Sequence, residues 1–145
     1  MRFMIIRKAD AETEAGAMPT TELLEQMGNY VESMVKAGVF VSGDGLEQSS
    51  KGKRVKFHGG RPAVIDGPFA ETKELVSGFS IIDVASEAEA VEWVKKWPAI
   101  DGHGEVEIEI RRMLTAEDFG DQFTADQRAR EDRLRAEAEM QSSKR

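Results

Sequence analysis

The sequence predicts an α+β fold in which secondary structure follows the order strand, helix, strand, strand, helix, strand, with a β-hairpin inserted after the second strand. Two observations carry this prediction. Two segments place apolar residues at spacings of three and four, which is the pattern of a helix with one buried face. The segments between them are short, rich in β-branched and aromatic residues, and bounded by glycines.

The size, charge and composition of the chain exclude several classes of function. Its 145 residues suit one core-forming domain with 40% hydrophobic and 32% charged residues. A net charge of −7 argues against a nucleic-acid partner, because binding duplexes requires a basic surface. The chain has no cysteine, which excludes disulfides and thiolate chemistry. The apolar run near the N-terminus is too short for a signal sequence or a membrane span, so we expect a cytoplasmic protein with no membrane association.

The first half of the chain supplies two strands and a helix. Residues 3–6 form a compact apolar run typical of a central strand, and residues 9–19 resemble a loop. A helix is predicted from Thr21 to Ala37, capped by Thr20 or Thr21 and stopped by Gly38. Its apolar stripe consists of Leu23, Met27, Tyr30, Val31 and Met34. Residues 39–41 then predict a second strand.

The second half repeats the pattern after a hairpin. Residues 54–57 and 63–65 alternate in polarity around Gly59 and Gly60, which predicts a β-hairpin. Residues 78–84 predict a strand. Ser86 with Glu89 forms a capping box for a helix that ends before Pro98. Residues 106–111 alternate strictly and predict a final strand with one buried face.

Without the hairpin, the order βαββαβ is the ferredoxin-like pattern. Both helices have one apolar stripe and should cover the same face of the sheet. We expect Phe3, Ile5, Phe79 and Ile81, or their neighbours, to point to the opposite face. An apolar face of that size usually marks an association surface. The sequence therefore predicts a homodimer in which two sheets meet face to face.

The composition changes after the last strand. Residues 1–112 form the predicted ferredoxin-like domain, whereas residues 113–145 form a charged helical C-terminal arm. Thr115 and Thr124 each suit a helix start. Phe119 and Phe123 could anchor the arm, for example on a partner subunit, and the arm itself could bind a protein partner. A solvated arm without a partner is the simpler interpretation.

Residues 66–74, DGPFAETKE, are the first candidate for a functional site. Gly67 and Pro68 favour a tight turn that would fix the carboxylate of Asp66 at a strand end, with Phe69 plugged into the core. Crowded charges can shift pKa values, which makes Asp66 a candidate acid or base. Candidate ligand-binding residues around it are Gly67, Pro68, Glu71, Lys73 and Glu74. Alternatively, Asp66 stabilises its own turn and the other charges form surface pairs.

The chain has two histidines, and their positions are not equally suited to a catalytic role. His58 lies in the hairpin, whereas His103 lies in a flexible loop before the last strand, where an imidazole could act as acid or base. We therefore add His103 to the catalytic candidates. Two isolated histidines do not make a metal site, and no motif for a phosphate or cofactor is present, so we expect neither metal nor cofactor.

The motif DGPFAETKE, with Gly78, Phe79 and Asp83, resembles the signature of the DGPF family, a branch of the YCII-related proteins. The likeness extends over roughly residues 1–112, from the opening RFMIIR to Trp97-Pro98 and the closing EVEI. It implies a ferredoxin-like fold that forms a dimeric α/β barrel with a polar cleft. YCII-type relatives pair a histidine on the first helix with the loop aspartate. Here the first helix contains no histidine, and Glu25, Asn29 or Tyr30 could stand nearest that position.

Two functions follow from these observations. The first is a small-molecule enzyme, for example an isomerase, a lyase or a cofactor-free oxygenase, with acid–base chemistry at a cleft that contains Asp66. The alternative is a non-catalytic dimeric module that binds a ligand or a regulatory partner. Because the DGPF branch is often associated with alternative sigma factors, the resemblance implies a link of that module to sigma-factor-dependent transcription.

Overall fold

The computed structural model describes residues 1–145 and contains one four-stranded antiparallel sheet, with strand order β2-β5-β1-β6, and a separate two-stranded sheet. This order agrees with a ferredoxin-like arrangement, and the predicted α+β class is confirmed. The elements are β1 (Arg2–Lys8), α1 (Ala11–Glu14), α2 (Thr21–Lys36), β2 (Phe40–Gly45), β3 (Lys53–His58), β4 (Arg61–Asp66), β5 (Val76–Asp83), α3 (Glu87–Val94), β6 (Ile108–Arg112) and α4 (Ala125–Ser143). The dimer and the barrel stay predictions.

The core lies between the sheet and helices α2 and α3. Phe3 and Ile5 on β1 are 1% and 2% exposed and pack with Met34 of α2 and Ala90 of α3. Phe3 and Ile5 therefore face the helices, and of the alternatives left open by the sequence it is their neighbours on β1 that point to the opposite face. Side chains alternate along a strand, so the outer face instead carries the neighbouring residues of β1 and their partners on β5. These are Met4, Ile6, Phe79 and Ile81.

The segment expected to be a loop, residues 9–19, contains the short helix α1. Asp10 caps it: its carboxylate accepts from the backbone N–H of Thr13, and the Thr13 hydroxyl accepts from the backbone N–H of Asp10. This reciprocal capping satisfies N–H groups that otherwise lack partners at a helix start. The signal is visible in the sequence as an Asp followed three residues later by a Thr. It was missed because α1 has only one turn and no apolar stripe.

The predicted hairpin is present, and its two strands are longer than expected. β3 and β4 pair in register around Gly59 and Gly60, which both have positive φ (56° and 79°). Two consecutive positive φ values define the tight turn that matches the twist of a hairpin, and glycine adopts them without strain. All twelve residues of the two strands are exposed.

Residues 1–113 and 114–145 form two separate compact units. In the second unit, Phe119 and Phe123 stack edge to face at 5.8 Å. The guanidinium of Arg128 lies over the Phe123 ring and donates to the carbonyl oxygen of Phe123. Phe119 and Phe123 thus contact each other within their own unit.

Helix α4 is polar on all faces. No helix of the chain has the length and apolar character needed to cross a bilayer.

Candidate active site

A cleft of about 1180 Å³ opens between α2 and the sheet in the first unit. One wall is apolar and is built from the α2 stripe together with Phe40 of β2. Its side chains are Leu23, Met27, Tyr30, Val31, Met34 and Phe40. The same stripe that buries α2 against the core thus also forms the wall, because residues at i, i+3, i+4 and i+7 share one helix face. A cleft with an apolar wall and a few polar groups has the lining that small organic molecules bind.

The polar end of the cleft is organised by Arg7, which lies at the end of β1. Its Nε and Nη2 atoms each donate to the carboxylate of Asp101 at 2.7 Å. Nη2 also donates to Asp10, and Nη1 donates to the carbonyl oxygen of Lys8 and the hydroxyl of Ser77. A guanidinium has five N–H groups, so every donor of Arg7 is used. Arg7 therefore fixes the local structure and has no donor left for an anionic ligand.

Asp101 is the one buried charged residue of the chain, with 4% exposure. Besides the two bonds from Arg7, it accepts a hydrogen bond from the indole Nε1 of Trp97 at 2.9 Å. Burial opposes ionisation of the carboxyl, but the hydrogen bonds from Arg7 and Trp97 and the charge of Arg7 outweigh it and lower the pKa of Asp101. Asp101 is consequently a bound anion at neutral pH and positions its surroundings instead of exchanging protons.

The loop after Asp101 presents His103 to the cleft. Gly102 and His103 both have positive φ, 58° and 56°. This region is uncommon for a residue with a side chain and costs about 1–3 kcal/mol, so the surrounding structure must hold it. Both carboxylate oxygens of Glu12 lie 3.0 Å from the His103 Nε2 atom. The pair is exposed, at 79% for His103 and 64% for Glu12, and both residues line the cleft.

Helix α1 connects the parts of this site through three acidic residues. Asp10 contacts Arg7, Glu12 contacts His103, and Glu14 accepts from the backbone N–H and the hydroxyl of Ser49. The hydrogen bond from the backbone N–H of Thr13 lowers the pKa of Asp10, and the charge of Arg7 lowers it further. These two effects outweigh burial, which opposes the ionised form. A single turn of helix thereby joins β1, the His103 loop and the segment after β2.

The structure places Asp66 outside the cleft. It lies at the end of β4, its side chain is 76% exposed, and its carboxylate pairs with Lys53 across the hairpin. None of Gly67, Pro68, Glu71, Lys73 and Glu74 lines the cleft either. Of the catalytic and ligand-binding candidates, Asp66, Gly67, Pro68, Glu71, Lys73, Glu74 and His103, the structure thus brings only His103 to the cleft.

The DGPF motif packs against a helical turn, residues 49–51, that lies beside the cleft. A Cβ added at Gly67 would overlap the carbonyl oxygen of Ser49, so glycine is required for this approach. The Gly67–Pro68 peptide bond is cis. The Phe69 backbone N–H donates to the Ser49 hydroxyl, and the guanidinium of Arg54 lies 4.0 Å from the centre of the Phe69 ring. The motif therefore holds Ser49, which Glu14 holds from the other side.

Two of the α2 residues that the sequence offers in place of a helix histidine, Tyr30 and Asn29, have other contacts in the structure. Tyr30 lines the cleft, but its hydroxyl donates to the carbonyl oxygen of Trp93 at 2.8 Å. Burial raises the pKa of Tyr30 to about 12, so its phenol stays protonated at neutral pH. Asn29 lines a separate shallow groove beside Trp97. No three His, Asp or Glu side chains converge in a way that would hold a metal ion.

The fold and the cleft define a small α+β protein in which two helices cover one face of a four-stranded sheet and a cleft opens beside α2. The family model of the YCII-related domain matches residues 1–114, and the chain belongs to this family. No curated protein matches the sequence. The structure is similar to 5-chloro-2-hydroxyhydroquinone dehydrochlorinase (TftG) from Burkholderia phenoliruptrix AC1100, solved in complex with 2,5-dihydroxybenzoquinone, with 16% identity and a TM-score of 0.45. That similarity covers 79% of this chain and 94% of the other.

Proposed function

We propose that this protein is a small-molecule enzyme that uses the cleft for a proton-transfer reaction, with His103 as the acid–base residue. One observation carries the proposal. A ligand-sized apolar cavity ends at an imidazole whose Nε2 atom faces a carboxylate at 3.0 Å. The apolar wall would bind the body of the substrate, and the polar end would meet its reacting group.

The pair of His103 and Glu12 has the arrangement that general bases require. A carboxylate that accepts from Nε2–H fixes the tautomer, which leaves the Nδ1 atom of His103 as the free base. Nδ1 would take a proton from a carbon or oxygen acid of the substrate and return it to another atom of the same molecule, so no cofactor is needed. Glu12 would stabilise the imidazolium formed in between.

Asp101 and Arg7 support this function as positioning residues. The buried ion pair holds the start of the loop, and His103 follows two residues later with a positive φ. Asp66 is not part of the mechanism that we propose, since its exposed carboxylate is paired with Lys53.

Hydrogen–deuterium exchange tests the proposal without knowledge of the reaction. We would incubate the protein in D₂O with small enols, lactones and phenols and follow deuterium incorporation by ¹H NMR. We expect His103→Gln to lower the exchange rate by about 10²–10⁴-fold, the usual contribution of a general base. His58→Gln is the matched control, because His58 is the other histidine and lies on the hairpin.

Two results would decide against the enzyme. Exchange that is equally fast in the His103→Gln variant would remove His103 from the chemistry. Saturable ligand binding with no exchange at all would favour the non-catalytic ligand-binding module, for which the same cleft would serve as the binding site.

We also propose a homodimer through the outer sheet face. Met4, Ile6, Phe79 and Ile81 share the face opposite to the buried Phe3 and Ile5, and a second copy of the sheet would cover this apolar face. Sedimentation of the wild type and of an Ile6→Lys/Ile81→Lys variant tests this association. A variant that stays as dimeric as the wild type would refute it.

A protein partner for residues 114–145 is a separate proposal, supported by the exposed Leu134 and Met140.

A further inference from the structure

The side of the cleft that the sheet forms carries almost no side chains. Residues paired across neighbouring strands lie on the same face, and on this face Ile82 belongs to the core while its partner Phe40 packs against it. Side chains alternate along a strand, so the same face continues two and four residues before Ile82 in β5 and at their partners in β2. These four residues, hereafter the floor, all line the cleft: Gly43, Gly45, Gly78 and Ser80. The floor thus has no side chain larger than that of serine.

Packing within the protein explains two of these glycines but not Gly45. A Cβ added at Gly43 would lie 3.0 Å from the Cβ of Ser80, and one at Gly78 would lie 3.3 Å from the carbonyl oxygen of Asp44. A Cβ at Gly45 would have nothing within 4 Å beyond its chain neighbours, and Gly45 does not have a positive φ. Glycine weakens a strand, and it often marks a place where a ligand approaches the backbone closely. Gly45 therefore keeps open a space that the protein itself does not fill.

The shape of this space suits a flat ring. Across the cleft from the floor, α2 contributes the apolar side chains of Leu23, Met27 and Val31. A ring that lies on the bare peptide groups of the floor can contact these side chains with its other face, and each atom pair at about 3.5–4.0 Å adds dispersion energy. The Met27 thioether also makes favourable contacts with aromatic rings. A bulky, non-planar molecule would contact the floor at only a few points.

The charges of the cleft disfavour an anionic ligand. Its lining contains two cations, Arg7 and Lys51, against six carboxylates: Asp10, Glu12, Glu22, Asp44, Glu47 and Asp101. Arg7 pairs with Gly78 at the edge of the floor, but every donor of its guanidinium is occupied. Lys51 is 60% exposed and lies 3.9 Å from Glu47. A carboxylate or phosphate group on the ligand would thus meet like charges and find no unpaired cation.

One polar group of the floor is available to an uncharged ligand. The Ser80 hydroxyl has no hydrogen-bond partner within the chain, and it lies beside Gly43 on the face toward α2. A hydroxyl group both donates and accepts, so it can bind a hydroxyl or a carbonyl group of a ring compound.

We propose that the substrate of the cleft is a flat ring compound without a negative charge that lies on the floor. Gly45 is the residue that admits the ring, and Ser80 binds its polar group. The inference rests on the proposed function in one respect, namely that the substrate occupies this cleft. Its test measures binding, whereas the test of the proposed function measures proton exchange, so the two can fail separately.

Three probes with related carbon skeletons test the class of ligand by NMR titration at neutral pH. Naphthol is flat and uncharged, decahydronaphthol is uncharged but not flat, and naphthoate is flat but anionic. We expect naphthol to bind with a dissociation constant below about 1 mM. The other two should bind at least about 10-fold more weakly, because one loses contact with the floor and the other meets the carboxylates.

Substitution of Gly45 tests where the ring lies. Gly45→Val should weaken naphthol binding at least about 10-fold, because its side chain fills the open space above the floor. Thermal unfolding should show a melting temperature equal to or above that of the wild type, since valine favours strands and its Cβ meets no other atom. The matched control is Ser42→Val in the same strand, which does not line the cleft and should bind naphthol like the wild type.

Substitution of Ser80 tests the polar contact. Ser80→Ala should weaken naphthol binding about 3–10-fold, the usual contribution of a hydrogen bond. Binding of naphthalene, which has no hydroxyl, should not change in this variant. An equal loss for both probes would remove the hydrogen bond from the proposal.

Four further outcomes would overturn the inference. Absence of naphthol binding would remove the ligand class, and decahydronaphthol that binds as tightly as naphthol would remove the flat ring. Naphthoate that binds more tightly than naphthol would contradict the role of the carboxylates. Unchanged naphthol affinity in Gly45→Val would place the ligand away from the floor. If naphthol binds as expected but His103→Gln leaves proton exchange unchanged, the floor stands and the acid–base role of His103 does not.

Discussion

Replacing Asp101 by Asn removes the charge that holds the polar end of the cleft. The carboxylate accepts two hydrogen bonds from Arg7 at 2.7 Å and one from Trp97 at 2.9 Å. Removing one partner of a buried ion pair costs about 3–5 kcal/mol, because the other charge stays buried without compensation. The Arg7 side chain is 12% exposed but keeps Asp10 at 3.3 Å. We therefore expect a loss near the lower limit, about 3 kcal/mol.

Urea denaturation followed by circular dichroism measures this loss. The matched control is Asp83→Asn, because Asp83 also forms ion pairs, with the N-terminus and Arg2, but its side chain is 51% exposed. Exposed pairs contribute about 0–1 kcal/mol, so the control should be nearly as stable as the wild type. A loss below about 1 kcal/mol for Asp101→Asn would refute the conclusion that this ion pair holds the site together.

The pH dependence gives a second readout of the same interaction. The pKa of Asp101 is lowered in the folded protein from its ordinary value of 3.8. Its contribution is therefore fully present above about pH 4 to 5 and is lost as the pH falls through the folded value. The difference in the free energy of unfolding between wild type and Asp101→Asn should therefore shrink as the pH falls below about 4. A difference that stays constant down to pH 2 would contradict an ionised Asp101.

Three further predictions concern the loop, the helix and the core. Gly67→Ala should destabilise the protein by more than about 2 kcal/mol, because its Cβ would overlap the Ser49 carbonyl oxygen; a smaller loss in thermal unfolding would contradict this packing. Burial raises the pKa of Tyr30 from 10.0 to about 12, so the wild type should lose about 2 kcal/mol between pH 10 and 12 that Tyr30→Phe does not lose. Absorbance at the phenolate band checks the titration, since this is the chain's single tyrosine. Phe3→Ala should cost about 3–5 kcal/mol in urea denaturation, whereas Val35→Ala, at an exposed position, should cost less than about 0.5 kcal/mol; equal losses would place the core elsewhere.

Much of the fold could be predicted because its signals are local. The stripe of α2 repeats within four residues, and Ser86 caps α3 by accepting from the N–H of Glu89, three residues later. The turn at Gly59 and Gly60 requires positive φ at two adjacent positions, which glycine indicates directly. Such interactions involve neighbours in the chain, so the spacing of residues is enough to recognise them.

The outer face of the sheet shows what this reasoning leaves open. Residues 3–6 are all apolar, so their pattern does not reveal which pair faces the helices. Only packing against Met34 and Ala90 assigns Phe3 and Ile5 to the core and leaves Met4 and Ile6 outside. A shift of one residue would exchange the two faces, and a run without polar positions contains no information about that shift.

The sequence by itself determined the strands of the sheet, the helices α2 and α3 and their order, since these depend on periodicity, caps and turns between near neighbours, but it missed the single turn of α1. Only the tertiary structure determined the candidate site. Arg7 and Asp101 are 94 residues apart in the chain, and Glu12 and His103 are 91 apart. The fold brings these pairs together, while it leaves Asp66 exposed on the hairpin. The physical reason is that a charged residue acquires its environment from whatever the fold packs beside it, and no local spacing specifies that neighbour.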